Sequence, residues 1–306
     1  MVRQEGTPML QSLLSLRLRP SIAIAAIAVT VGLFVADGSG AVASDKPSYL
    51  ALGDSVAFGF IAGDGFAYTK AANFVSYADY VGRALDLQTV NPSCPGEASG
   101  GFQIAAPGGN DNGCRPYKAH FPLHVSYAGA PTQMAFATEY LKTHPSTQLV
   151  TLGIGANDAF ILQRTCGADQ NCLVAGLAVM SANVDTILGG IRATGYTGVL
   201  EVVNYYSLDY GDPAQVQGAL LLNHFETASA AAHRAVIADT FTALQNAALP
   251  AGGHTCEAGL LNIAASAPAP AFPNCDVHPS QFGQQTMAEA VEAAYRAATE
   301  DQGGNA

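Results

Sequence analysis

Short apolar runs alternate along this chain with longer stretches of helical spacing, and that alternation leaves few folds open. Tyr49-Leu50-Ala51-Leu52 is too short and too apolar for a surface helix, and Gly53-Asp54-Ser55 stops it, so it reads as a buried strand running into a turn. Residues 74–85 carry Phe74, Val75, Ala78, Val81 and Leu85 at helical spacing, and 87–90 supplies a second strand. The clearest strand is 148–155, followed later by 198–204 and 235–241. Helices are predicted over 130–141, 174–193, 220–234 and 281–298, while 94–114, rich in Gly, Pro and Asn, reads as loop. Strands that alternate with helices predict an α/β fold: a parallel sheet with helices on both faces and ligands at the strands' carboxyl ends.

At 49% hydrophobic and 12% charged residues the chain can bury a core, which disorder on this scale would not allow. No Pro/Ser linker, charge run or 20–50-residue repeat divides residues 44–306, so a single domain is expected there. The net charge of -11 repels phosphate backbones and anionic bilayers, so neither nucleic acid nor an anionic membrane surface is an expected partner. Residues 1–43 read as a signal peptide. Arg17 and Arg19 precede the apolar stretch 21–36, Asp37-Gly38-Ser39-Gly40 breaks it, and Ala41-Val42-Ala43 offers small residues for cleavage before Ser44. The apolar stretch is shorter than the roughly 20 residues a span requires, so no membrane span is expected after cleavage and the protein is expected to be secreted.

Cys94, Cys114, Cys166, Cys172, Cys256 and Cys275 all follow that segment. An even count in an exported chain points to disulfides. Six cysteines allow fifteen pairings, of which neighbour pairing (Cys94–Cys114, Cys166–Cys172, Cys256–Cys275) is the simplest. No C-x-x-C occurs and no His stands at ligand spacing from a Cys pair, so neither a metal nor a cofactor is expected. Gly109-Asn110-Asp111-Asn112-Gly113 lacks the length and terminal Glu of an EF-hand loop and reads as a polar turn.

Four segments carry chemistry. In Gly53-Asp54-Ser55-Val56-Ala57-Phe58-Gly59 the serine lies just past a strand and enters a helix, a place that exposes its hydroxyl; the same residues would also serve as an ordinary helix cap. Gly155-Ala156-Asn157-Asp158 follows the strongest strand, where an Asn side chain in a Gly-flanked loop can donate to an oxyanion. Cys275-Asp276-Val277-His278-Pro279 precedes the last helix and offers an imidazole to accept a serine proton. Cys94-Pro95-Gly96-Glu97 can present the Gly96 N–H. Phe58, Phe60, Phe160 and Ile161 stand near these motifs and read mostly as core.

Each segment alone fits a turn or a cap. Their order resembles that of the SGNH, or GDSL-type, hydrolases, and Tyr49 to Ser55 is similar to that family's first block. Cys94-Pro95-Gly96-Glu97 looks like the second block of its secreted, disulfide-bonded, actinobacterial lipase-like branch. The resemblance covers residues 49–298. It implies a flavodoxin-like three-layer fold and a serine mechanism on carboxylic esters of acyl or lipid substrates. Ser55 would be the nucleophile and His278 the base, with the Ser55 N–H, the Gly96 N–H and the Asn157 amide forming the oxyanion hole. Two positions depart from the pattern. Val56 stands where the family name has Leu, and Cys275 stands three residues before the histidine, where the family places its acid. Asp276 is the nearest substitute for that acid; some members of the branch use a backbone carbonyl instead. G-x-S-x-G and H-E-x-x-H are both absent, against an α/β-hydrolase and a metalloesterase. A carbohydrate acetylesterase, a thioesterase or an inactive exported binding protein are the alternatives on the same fold.

Overall fold

β1 (Ser48–Gly53) is buried along its whole length, as its unbroken apolar run requires. The computed structural model describes residues 46–62, 67–105, 109–127, 129–263 and 274–303, so the signal peptide expected over 1–43 lies outside the described residues. β1 pairs in parallel with β2 (Gln88–Val90) on one side and with β3 (Thr147–Gly153) on the other. β4 (Val199–Val203) and β5 (Val236–Ala238) extend the sheet beyond β3, also in parallel, giving the order β2-β1-β3-β4-β5. That is the flavodoxin-like order, whose direction reverses between β1 and β3 and leaves a crevice at their carboxyl ends.

The period-two alternation of strand side chains divides the core into two layers. Leu50 and Leu52, Val150 and Leu152, and Leu200 and Val202 point to one face. There they meet Phe102 of α3 (Ser99–Gln103), Leu141 of α5 (Gln133–Thr143) and Val184, Ile187, Leu188 and Ile191 of α7 (Gln170–Ala193). The intervening residues Tyr49, Ala51, Leu149, Val199 and Val203 point the other way. They pack on α2 (Tyr77–Ala84), α9 (Thr240–Ala248) and α10 (Gln281–Gly303) through Tyr77, Ala78, Val81, Leu244, Met287 and Val291. The result is the expected three-layer sandwich. α7 is long and apolar enough to cross a membrane by length and composition, but its buried stripe covers the sheet.

Several elements depart from the sequence reading. α3 and α4 (Cys114–His120) occupy parts of the expected loop 94–114. The helix expected over 220–234 is α8 (Pro213–Glu226), started by the Asp212 cap and Pro213 at its first turn. α9 was not anticipated. Nor was the antiparallel pair β6 (Leu261–Ile263) and β7 (Cys275–Pro279), whose strands are too short to carry a periodicity signal. The three neighbour disulfides form as the simplest pairing has them.

One strand residue opposes its surroundings. Glu201 lies mid-β4 on the Tyr49 face, fully buried, and neither carboxylate oxygen has a hydrogen-bond partner among the described residues. Burial holds its pKa well above the usual 4.5. The folded protein therefore keeps a proton that the unfolded chain releases above that value, and stability is lost as pH rises. The melting temperature is expected to fall from about pH 5 to about pH 8, and Glu201→Gln to flatten that fall, as read by thermal unfolding across pH.

Candidate active site

The end of β1 fixes the first chemical group. Gly53 adopts φ +148°, and a Cβ there would stand 2.2 Å from the Gly153 carbonyl oxygen, so only glycine lets β1 and β3 approach this closely. The Gln133 side chain spans Gly53, accepting from its N–H at 2.7 Å and donating to its carbonyl at 2.9 Å. Asp54 then caps α1 (Ser55–Phe58) by accepting from the Val56 N–H at 2.9 Å. Ser55 is the first residue of that short helix and stands at the sheet's rim. Gln284 of α10 accepts from the Tyr77 N–H and donates to the Val56 carbonyl, locking the turn to the layer beneath.

His278 comes from β7, just before α10. The Cys256–Cys275 bridge tethers this strand, and the Tyr206 hydroxyl donates to the Val277 carbonyl at 2.6 Å. The His278 Nε2 lies 3.0 Å from Ser55 Oγ, across 223 residues of sequence. Phe60 meets the imidazole edge to face at 5.0 Å. Asp276 is beside the ring but poorly aligned with it. Its Oδ1 accepts from the His278 backbone N–H at 2.5 Å and stands 3.3 Å from Nδ1. Nδ1 has no aligned hydrogen-bond acceptor, side chain or carbonyl, among the described residues.

Asn157 lies in the first turn of α6 (Ala156–Cys166), not in the expected loop, with Gly155 only as the residue before the helix. Asp158 anchors that turn to α3 by accepting from the Ser99 N–H at 2.8 Å and the Ser99 hydroxyl at 2.6 Å. Gly96 adopts φ +83°, and a Cβ there would stand 2.8 Å from Gly113, against which the Cys94–Cys114 bridge holds it. Ser55, Gly96, Asn157 and His278 share the wall of one cavity of about 300 Å³. A second cavity of about 250 Å³ opens on the other side of the same pair. It is lined mainly by apolar groups from α6 and α8, among them Phe160, Ala219 and Leu222, with Tyr205, Tyr206 and Leu208 from the segment after β4. Of the four apolar residues noted near the motifs, Phe58 is core, Phe60 lines the first cavity and Phe160 lines both, while Ile161 lines neither.

Buried acids surround the site. Burial pushes the Asp54 carboxyl up to about 6, against the lowering effect of the Tyr205 hydroxyl, which donates to Oδ2 at 2.5 Å, and of the Val56 N–H. Glu97, behind Gly96, is pushed to about 7 by burial, with Lys118 opposing. Glu226 of α8 is buried near Asp54, and burial raises it as well. Tyr205, Asn112 and Asp54 escaped the reading of the sequence as parts of the site. Tyr205-Tyr206 lies just past the end of β4, and the rule that ligands bind at strand ends was the signal available for it. Cys94, Glu97 and Cys114 cluster closely enough to suggest a metal, but both sulfurs are committed to the disulfide.

No protein-family model and no curated protein sequence matches the chain. Solved structures do. The lipase Lip_vut3 from a goat rumen metagenome matches with a TM-score of 0.51 at 14% identity, over 81% of this chain and 97% of that one. Phospholipase A1 from Streptomyces albidoflavus NA297 matches with a TM-score of 0.48 at 17% identity, over 81% and 99%. An acetylxylan esterase from Geobacillus stearothermophilus matches with a TM-score of 0.46 at 16% identity, over 82% and 94%. At such identity the likeness to the rumen lipase is one of fold, the three-layer fold the sequence resemblance implied.

The Cys94–Cys114 bridge closes a loop of 20 residues. Replacing both cysteines with Ala is expected to cost about 3 kcal/mol of stability in the chain-entropy view, measured by urea denaturation.

Proposed function

We propose that this chain is a secreted serine ester hydrolase of the SGNH (GDSL) type. The observation that carries the reading is the 3.0 Å contact between Ser55 Oγ and His278 Nε2. For Nε2 to accept the serine proton, the neutral imidazole must hold its own proton on Nδ1, the nitrogen beside Asp276. Ser55 Oγ attacks the ester carbonyl as its proton passes to His278, which returns it to the leaving alcohol; water then repeats the sequence on the acyl-enzyme. The negative oxygen formed at each attack is met by the Ser55 N–H, the Gly96 N–H and the Asn157 amide. Asp276 assists by charge at 3.3 Å, without the alignment of a full triad member. The three disulfides support residence outside the cytoplasm, and the signal-peptide pattern of residues 1–43 supports export.

The two cavities favour an acyl or lipid ester over an acetylated sugar. One side of the Ser55–His278 pair is an apolar slot between α6 and α8, suited to an alkyl chain, and the chain has no Trp with which to stack a sugar ring. The other side, bounded by Gly96, Asn112 and Tyr117, is left for the alcohol portion.

A fluorophosphonate probe is expected to label the folded protein and not Ser55→Ala; labelling that survives in that variant would remove Ser55 as the nucleophile. His278→Ala is expected to cost about 10²–10⁴ in kcat toward p-nitrophenyl butyrate, as loss of a general base does. Asp276→Asn should cost far less, and equal losses would make Asp276 a full triad member.

The apolar slot makes its own prediction. Gly218 lines it, and a Cβ there would meet no atom within 4 Å, so a larger side chain would grow into the slot. Leu suits a helix better than Gly, so Gly218→Leu is not expected to unfold α8. A p-nitrophenyl ester series is expected to show octanoate turnover falling much more than acetate turnover in this variant.

A further inference from the structure

Asn157 can serve an oxyanion only if its Nδ2, and not its Oδ1, faces the reacting carbonyl. A chain of hydrogen bonds decides which end is presented. Arg164 donates to Asn112 Oδ1, Asn112 Nδ2 donates to Asn157 Oδ1 at 2.8 Å, and Asn157 Nδ2 donates to Asp54 Oδ2 at 3.2 Å. The direction follows from the chemistry of the ends. A guanidinium only donates and an ionised carboxylate only accepts, so neither amide in between can be reversed without opposing like groups. Tyr205 strengthens the acceptor end by donating to the same Asp54 oxygen. The Asn157 oxygen is thereby committed away from the site, and one Nδ2 hydrogen remains for the cleft that Asn157 lines together with Ser55.

Asn112 does a second thing. Its backbone N–H donates to the Gly96 carbonyl at 2.9 Å, so the loop carrying it also seats the glycine that lines the same cavity. We infer that Asn112 is a positioning residue for the oxyanion hole: one residue of the Gly109–Gly113 turn orients the Asn157 amide and holds Gly96 in place. The inference rests on the ester-hydrolase reading of Ser55 and Asn157. It gives a function to a turn that otherwise resembles a degenerate calcium loop. It also explains why Asp111 binds the start of α4 so tightly, accepting from the N–H groups of Gly113, Cys114 and Arg115 on either side of the bridged cysteine.

The test is a kinetic cycle with p-nitrophenyl butyrate on the purified protein and on N112A, N112D, N157A and N112A/N157A, each checked for an unchanged melting temperature. Asn112→Asp keeps the shape but replaces the donor with an acceptor, so it is expected to lower kcat at least tenfold with KM within twofold. Asn112→Ala, which removes the donor without repelling the amide, should lower kcat less. In the N157A background, N112A should change kcat no further. Wild-type kcat in N112D, or an N112A loss undiminished in the N157A background, would overturn the inference. If the wild type turned over no ester and Ser55→Ala behaved the same, the function reading would fall. A crystal structure of N112D then still decides this point, because an Asn157 amide rotated from its Asp54 contact sustains the positioning role and an unmoved one refutes it.

Discussion

The close approach of β1 and β3 at their carboxyl ends is the constraint on which the site is built. Gly53 and Gly153 face each other in register, and the contact is so tight that a single Cβ would meet the opposite carbonyl. Two residues past Gly53 the chain has turned into α1 with Ser55 at its start; four residues past Gly153 it has turned into α6 with Asn157 in its first turn. Because the sheet order reverses between these strands, their following segments diverge to opposite sides and leave a crevice between them. Ser55 and Asn157, the proposed nucleophile and oxyanion donor, are thus placed by backbone geometry before any side chain is considered. The Gln133 amide, bonded to both polar groups of Gly53, keeps the one glycine that permits this approach from moving.

The polar residues around this crevice form a directed network in a poorly solvated place. Asp54 has no exposed surface, and three donors converge on its two oxygens: the Val56 N–H, the Tyr205 hydroxyl and the Asn157 amide. A carboxylate satisfied three times can remain ionised where an unpartnered one could not. Glu201 and Glu226 show the contrast, since neither has a hydrogen-bond partner among the described side chains and burial pushes both upward. The same functional group, a carboxyl, is an anchor in the first setting and a carrier of an extra proton in the others. The Tyr205 and Val56 donors counter the burial that raises Asp54, and its position next to Ser55 gives the network its acceptor end.

The sequence revealed the parts of this arrangement that depend on one local pattern. An apolar run ending in Gly-Asp-Ser marks a buried strand with a serine at its tip, and strands alternating with helices predict a sheet covered by helices on both faces. The neighbour pairing of the cysteines follows the same local logic. Relations between side chains far apart in the chain were not legible. Asn112 looks like any turn residue until Arg164, Asn157 and Gly96 are placed around it, 52, 45 and 16 residues away in sequence. Tyr205 looks like a strand-end aromatic until Asp54 is seen beneath its hydroxyl. Asp276 shows the opposite case: sequence adjacency suggested an acid for the histidine, but its Oδ1 is taken up by the His278 backbone N–H two residues on. Its short local turn competes with the ring for the same oxygen, a competition typical of Asp near its own backbone.

His278, the proposed general base, poses a harder positional problem than Ser55, because β7 does not belong to the main sheet. It lies in a two-stranded appendage, too small to be stable alone. A 3.0 Å contact between Ser55 and His278 is useful only if both backbones are fixed to a fraction of an ångström. The appendage is fixed at several points. The Cys256–Cys275 bridge holds its entry, Tyr206 holds Val277 from the end of β4, and Asn262 donates to the Pro279 carbonyl at 3.0 Å. The Ser280 N–H then reaches back to Leu260, and α10 begins at the next residue. One of these ties, Tyr206, comes from the segment just past β4 of the main sheet, directly beside Tyr205, which holds Asp54. The segment after β4 thus braces both halves of the candidate site at once: one tyrosine steadies the turn that carries Ser55, and its neighbour steadies the strand that brings the His278 imidazole to meet it.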